Sequence, residues 1–213
     1  MTVVVRIKIC GITRPEDGRR AALLGADAIG LVFYGPSPRC VEVAQAAAIC
    51  RALPPFVSKV GLFVDAAEDE IRHVLDRVSL DCLQFHGNEA PEFCARFAKP
   101  FLKVLRMRER LDVIDYAARY PGAAGLLLDA YRKGVPGGTG ETFDWAHIPA
   151  DLPLPLVLAG GLTPANVAGA VKTVRPWAVD VSGGVESSPG VKDAGKMAAF
   201  IRAARSVAHT GEM

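Results

Sequence analysis

Eight short apolar runs recur along the chain, each separated from the next by a stretch with helical patterning. They are Arg6–Ile9, Ala28–Phe33, Lys59–Phe63, Cys82–Phe85, Phe101–Val104, Gly125–Leu128, Leu156–Ala159 and Ala178–Val181. Strand and helix repeated in this order imply a parallel sheet. The runs are nearly continuous in Val, Ile, Leu and Phe, as expected of strands covered on both faces. Eight such units favour an α/β fold closed into a (β/α)8 TIM barrel, with a doubly wound open sheet as the alternative that shares the alternation. A chain of 213 residues, half of them apolar, is long enough to bury one substantial core, so a single barrel domain is expected over 1–213. The end of the chain, about 206–213, is expected to be a frayed tail.

Helix starts carry capping chemistry. Thr13 is followed by Pro15 and Glu16, Asp65 by Glu68, and Thr163 by Pro164, whereas Gly25 reads as a C-terminal stop. Two connections after strands are long and rich in Gly and Pro, Tyr34–Cys40 and Ala130–Glu141, the kind of loop that in a compact domain is usually functional or mobile. The glycines from Gly134 to Gly140 match no phosphate-loop or dinucleotide fingerprint, so no nucleotide is expected.

Charge excludes other classes. The 25 basic and 23 acidic residues are scattered without a polybasic run, so neither nucleic acid nor an anionic membrane is an expected partner. No stretch is apolar for long enough to span a bilayer, and Arg6 and Lys8 interrupt the apolar start, which points to a soluble cytoplasmic protein. Five widely spaced cysteines and four histidines with no pairing at ligand spacing suit neither a disulfide framework nor a metal site.

In barrels of this kind the working residues follow the C-terminal ends of the strands. Those positions hold Cys10, Arg39, Asp65, His86, Asp129, Gly160, Gly161, Ser182, Gly183 and Gly184. Gly160–Gly161 and Gly183–Gly184, after the last two runs, suit a phosphate dianion, because residues without side chains let backbone N–H groups approach it closely. Cys10 and Asp129 suggest a base and an acid on nearly opposite sides of the barrel mouth. A thiol of ordinary pKa, about 8.5, needs a nearby cation or helix N-terminus to become thiolate, and the helix opening at Thr13 is expected to supply that field. Asp129 serves as an acid only while protonated, which calls for burial or a neighbouring anion; otherwise it is a partner for Lys103 or Arg132. Arg39 suits bidentate grip of a carboxylate, and His86 is either a proton shuttle or a hydrogen-bonded structural histidine.

Longer blocks carry a resemblance. Lys8-Ile9-Cys10-Gly11-Ile12-Thr13 opens the chain, followed by Gly30-Leu31-Val32-Phe33 with Ser37-Pro38-Arg39, Val60-Gly61-Leu62-Phe63-Val64 and Leu83-Gln84-Phe85-His86-Gly87. Then come Leu127-Leu128-Asp129, Gly137-Gly138-Thr139-Gly140 with Phe143-Asp144-Trp145, Leu158-Ala159-Gly160-Gly161-Leu162, Val179-Asp180-Val181-Ser182 and Gly184-Val185-Glu186. In this order the blocks resemble those of the phosphoribosylanthranilate isomerases of tryptophan biosynthesis. The resemblance implies an Amadori rearrangement of N-(5'-phosphoribosyl)anthranilate with no metal and no cofactor. By similarity Asp129 is the general acid, Cys10 the general base, Arg39 the holder of the anthranilate carboxylate, and the glycine pairs with Ser182 the holders of the phosphate. His86 and Asp180 are expected as further substrate contacts, and the protein as a monomer or homodimer. One departure stands out: the family commonly has two serines after the last strand, whereas Ser182 is followed here by Gly183, which puts phosphate affinity in doubt. The competing readings are a histidine-pathway or bifunctional barrel isomerase, which typically uses two aspartates, and a catalytically inert sensor.

Overall fold

The computed structural model describes residues 2–107, 112–129, 145, 148–149, 151–207 and 209–210. Eight parallel strands close into a barrel in chain order: β1 (Arg6–Ile9), β2 (Ala28–Val32), β3 (Ser58–Phe63), β4 (Cys82–Phe85), β5 (Phe101–Arg106), β6 (Gly125–Asp129), β7 (Leu156–Ala159) and β8 (Ala178–Val181). The pairing of β8 with β1, Arg6 opposite Ala178 through Ile9 opposite Val181, is the ladder that an open sheet lacks, and it decides between the two architectures. Seven helices are described: α1 (Pro15–Leu24), α2 (Val43–Ala52), α3 (Glu68–Leu75), α4 (Pro91–Cys94), α5 (Val113–Ala118), α6 (Val167–Val174) and α7 (Ala194–Arg205). The long loop expected over 130–141, with its glycines and Arg132, lies outside the described residues.

The strands are buried on both faces, as their composition requires. Outward-facing Ile7, Ile9, Ile29, Leu31 and Phe85 share one cluster with Ala21, Ile49, Ile71, Val167 and Phe200 of the helices. Inside the barrel, Val104, Leu127, Val157, Ala159 and Ala178 form a second cluster, and Cys10, Val32 and Leu62 a third. Strand ends depart from the sequence reading by a residue or two. β5 and β6 run on to Arg106 and Asp129 because their register continues to that pair, so Asp129 is the last residue of a strand and not the first of a loop.

Three expected caps are corrected. α1 has Arg14 at its N-cap, and the Thr13 hydroxyl instead donates to the Gly190 carbonyl at 2.6 Å. Ahead of α3, Asp65 takes a positive φ of 48° and accepts from the Asn88 N–H, while Glu70 accepts from the Ala67 N–H that opens the helix. α6 begins at Val167, with Asn166 accepting from the Thr163 N–H. Gly25 does terminate α1, at φ 101°, with its N–H donating to Ala22. In the segment expected to fray, His209–Thr210 pairs antiparallel with Thr2–Val3.

Phe85, fully buried on β4, packs its ring against Phe93, Phe97 and Phe101, with centroids 6.2, 5.9 and 5.8 Å away. Truncating it removes a large buried ring and leaves a cavity between β4 and its covering helix. Phe85→Ala is expected to cost about 3–5 kcal/mol, read as a lower urea midpoint at unchanged m-value; a loss below about 1 kcal/mol would mean the cluster collapses around the vacancy.

Candidate active site

Side chains alternate along a strand, so residues two apart share a face. That places Cys10 above Lys8, His86 above Gln84, Asp129 above Leu127 and Ser182 above Asp180, at the C-terminal end of the barrel interior. There they open onto a cavity of about 730 Å³. All ten expected site residues line it: Cys10, Arg39, His86, Asp129, Gly160, Gly161, Asp180, Ser182, Gly183 and Gly184. Asp65, the other strand-end candidate, lines a separate groove beside α3.

Cys10 is 5% exposed and lies in a charged layer. Beneath it the Lys8 ammonium donates to Asp180 Oδ1 at 2.9 Å, a pairing that follows from the register of β1 with β8. Burial pushes the Cys10 thiol above its ordinary pKa; the Lys8 and Lys192 cations pull it down, and the Asp180 carboxylate adds to the upward push. α1 begins at Pro15, beyond the Thr13 start expected for it, and the charges facing the thiol are those of Lys8, Lys192 and Asp180. Gly30 makes the space: a Cβ there would lie 2.7 Å from the Cys10 Sγ and 3.1 Å from the Lys8 Nζ.

On β6, Asp129 Oδ2 stands 3.3 Å from His86 Nε2. Gln84 Nε2 lies 3.5 Å from His86 Nδ1; if it donates there, Nε2 of the neutral ring carries the hydrogen that faces Asp129. Lys103, one expected partner for Asp129, is instead committed to Glu89 at 2.7 Å. Gln84 was not singled out in the sequence, although its place two residues before His86 on a strand with one inward face was readable. Among the described residues its buried Oε1 has no hydrogen-bond partner.

Arg39 is held by a carboxylate of the protein itself. Its Nε and Nη2 donate to the two oxygens of Glu186 at 2.8 and 2.6 Å, and Lys192 donates to the same carboxylate at 2.7 Å. Burial works to raise the Glu186 carboxyl, but these hydrogen bonds hold it below the ordinary carboxylate range. Sequence reasoning missed both Glu186 and Lys192, because the short hairpin that carries them, Glu186–Ser188 with Val191–Lys192, has no barrel-strand signature.

The glycine clusters line the same cavity, Gly183 next to Arg39. Gly160 and Gly161 are consecutive left-handed residues, φ 87° and 66°, a path open to glycine and costly for other residues. At Gly184 any Cβ would collide with the Leu162 carbonyl oxygen, so the loops after β7 and β8 lock together there. Gly183 opens a short 3-10 turn, and a Cβ at that position would meet only Arg39 Nη2, at 3.4 Å, and Glu186 Oε2, at 4.0 Å. No cluster that could hold a metal ion occurs among the described residues.

A closed (β/α)8 barrel whose strand ends bring a thiol, a carboxyl, a histidine, an arginine and two glycine pairs to one cavity has the form of an acid–base enzyme for a small anionic substrate. The chain matches the family model for N-(5'phosphoribosyl)anthranilate (PRA) isomerase over residues 7–203. It is 60% identical over 210 residues to the N-(5'-phosphoribosyl)anthranilate isomerase of Alcanivorax borkumensis, covering 95% of this chain and 96% of that one. The crystal structure of the Thermotoga maritima phosphoribosyl anthranilate isomerase superposes with a TM-score of 0.87 at 41% identity, over 95% of this chain and all of the other. A phosphoribosyl anthranilate isomerase in complex with reduced 1-(o-carboxyphenylamino)-1-deoxyribulose 5-phosphate gives 0.83 at 40% identity, again over 95% of this chain and all of that one. The chain belongs to the phosphoribosylanthranilate isomerase family. It is an isomerase of tryptophan biosynthesis.

Because Arg39 is aimed by Glu186, neutralising that carboxylate loosens the guanidinium while keeping the side-chain shape. Glu186→Gln is expected to raise KM about tenfold with a smaller change in kcat, as measured by steady-state kinetics. An unchanged KM would show that Arg39 is aimed without Glu186.

Proposed function

We propose that Asp129 and Cys10 carry the two proton transfers of the isomerisation, in one catalytic domain spanning 1–213. The supporting observation is that both open onto the same cavity, from the ends of β6 and β1. Asp129, protonated, gives its proton to the furanose ring oxygen as the C1'–O bond breaks, leaving the open-chain Schiff base. The Cys10 thiolate then removes the C2' proton, and the electron pair of that bond moves to give the enolamine. Tautomerisation yields 1-(2-carboxyphenylamino)-1-deoxyribulose 5-phosphate, and no electron leaves the substrate. The competent form carries thiolate at Cys10 and a carboxylic acid at Asp129, with His86 steadying the Asp129 carboxyl.

Binding follows from the groups that line this cavity. Arg39 keeps two N–H groups on Glu186 and turns the Nη1 side of its planar fork to the anthranilate carboxylate. Backbone N–H groups of Gly160, Gly161, Gly183 and Gly184, with the Ser182 hydroxyl, take the phosphate. Gln84 Oε1, which has no partner among the described residues, accepts from a substrate hydroxyl, because a buried acceptor gains most when a donor arrives. Asp180 lines the cavity beneath these groups as a further contact. The assembly is a monomer or a homodimer; a Thermotoga maritima relative is described as dimeric. No helix among the described residues is long and apolar enough to cross a membrane, which agrees with work in the cytoplasm on a soluble metabolite.

The test is the decay of anthranilate-type fluorescence when the protein meets phosphoribosylanthranilate generated in situ. Asp129→Asn is expected to lower kcat by a factor of about 10²–10⁴ while inorganic phosphate still binds, since the acid is lost and the glycine rims are not. Turnover near that of the unmodified protein would remove Asp129 from the chemistry. In the same assay Cys10→Ser should be severely impaired, a hydroxyl being a far weaker base than a thiolate, whereas Arg39→Ala should act chiefly on KM; an undiminished rate in the first or an unmoved KM in the second would reassign those roles.

A further inference from the structure

We infer that the buried Lys8–Asp180 pair sets how readily Cys10 releases its proton, Lys8 drawing the thiol toward thiolate and Asp180 opposing it. The inference deepens the assignment of Cys10 as the base and rests on it.

The geometry is specific. Lys8 and Asp180 face each other across the seam between β1 and β8, 2.9 Å apart, with side chains 5% and 9% exposed. Cys10 is the next inward residue above Lys8. The space left by Gly30 brings thiol and ammonium together, because one point there lies 2.7 Å from the Cys10 Sγ and 3.1 Å from the Lys8 Nζ. The other charged groups that face the thiol come as a bonded set: Lys192 and Arg39 both hold Glu186, at 2.7 and 2.6 Å. Lys192 belongs to the hairpin after β8 and Arg39 to the loop after β2, so the thiol meets charge from both sides of its own strand.

A neutral pair beside a thiol exerts two opposed fields that nearly cancel at a distance but not at contact. Each member acts on the thiol's ionisation with its own sign in a poorly solvated interior. Removing one member therefore exposes the field of the other. Asp180→Asn leaves the Lys8 cation facing the thiol and should lower the pH at which Cys10 ionises, whereas Lys8→Met leaves the Asp180 anion and should raise it. The double substitution removes both fields and should return near the starting value. Lys8 thus acts through Cys10 alone and Asp180 acts through it besides its contact with substrate, and neither exchanges protons with substrate.

The experiment is iodoacetamide alkylation across a pH series on the full chain without substrate, with peptide mass spectrometry isolating Cys10 from the other four thiols. The pH profile of kcat/KM is taken on the same samples. The expected result is a downward shift of the Cys10 alkylation midpoint by about one pH unit or more in Asp180→Asn, an upward shift of similar size in Lys8→Met, and near-restoration in the double variant. Midpoints that stay put, or that move in the same direction in both single variants, overturn the inference. Lys8→Met leaves a buried carboxylate without its cation and is the variant at risk of not folding; the comparison of Asp180→Asn with the double variant then decides on its own. Alkylation midpoints that move as expected while the acid limb of kcat/KM stays fixed leave the pair's control of the thiol standing and remove Cys10 as the base.

Discussion

The pairing of β8 with β1 is the contact on which the rest of this molecule depends. Seven of the eight strand pairings join neighbours in sequence, but this one joins the first strand of the barrel to the last and encloses the interior. Its register puts Lys8 against Asp180, and the Cys10 N–H donates to the Val181 carbonyl at 2.8 Å. A slip by one residue would turn every side chain of β1 to the other face, sending Lys8 and Cys10 out among the helices and Ile7 and Ile9 into the barrel. The hydrophobic pattern of β1 and the chemistry of the site are therefore fixed by one and the same alignment.

Closure also explains why so many charges are buried at the top of this barrel and in the loops around it. Lys8 with Asp180, Lys103 with Glu89, and Lys192 with Glu186 are three lysine–carboxylate pairs at 2.9, 2.7 and 2.7 Å, almost wholly withdrawn from solvent. Such pairs are poor contributors to net stability, because desolvation offsets most of their attraction. What each does here is fix loops or orient neighbours. Glu89 accepts from the backbone N–H groups of Asp65 and Gly87 while holding Lys103, tying the loops after β3 and β4 together below His86. Glu186 aims Arg39 in the same manner on the other side of the mouth.

Much of this was legible in the sequence, for physical reasons that can be named. Two-sided burial writes itself as continuous Val, Ile and Leu, so the eight strands and their closure could be read to within a residue or two. The residues at strand ends followed from the polarity of the barrel, and all of them but Asp65 open onto one cavity. Three of the misses share a cause: they rest on hydrogen-bond partners distant in sequence. Thr13 looked like a cap, but its hydroxyl reaches Gly190; Asp65 looked like a cap, but it serves the loop that follows β4. Arg39 was expected to keep its fork for a ligand, and nothing local to Pro38-Arg39-Cys40 announced Glu186. The Lys8 cation, by contrast, sits only two residues before Cys10 on its own strand, a local signal that the sequence reading passed over.

That environment gives a reason for a cysteine at this place. A carboxylate there would be a second buried anion beside Asp180, with one lysine beneath to serve both, and like charges at that range in a poorly solvated interior strongly resist joint ionisation. A thiol can be buried uncharged at little cost, so the barrel tolerates it. Burial makes that ionisation harder, and the lysines flanking the thiol work against the penalty. The thiol is thus kept neutral by the same withdrawal from water that strengthens the field of the cations around it, and the balance between these two effects determines what fraction of the protein carries thiolate.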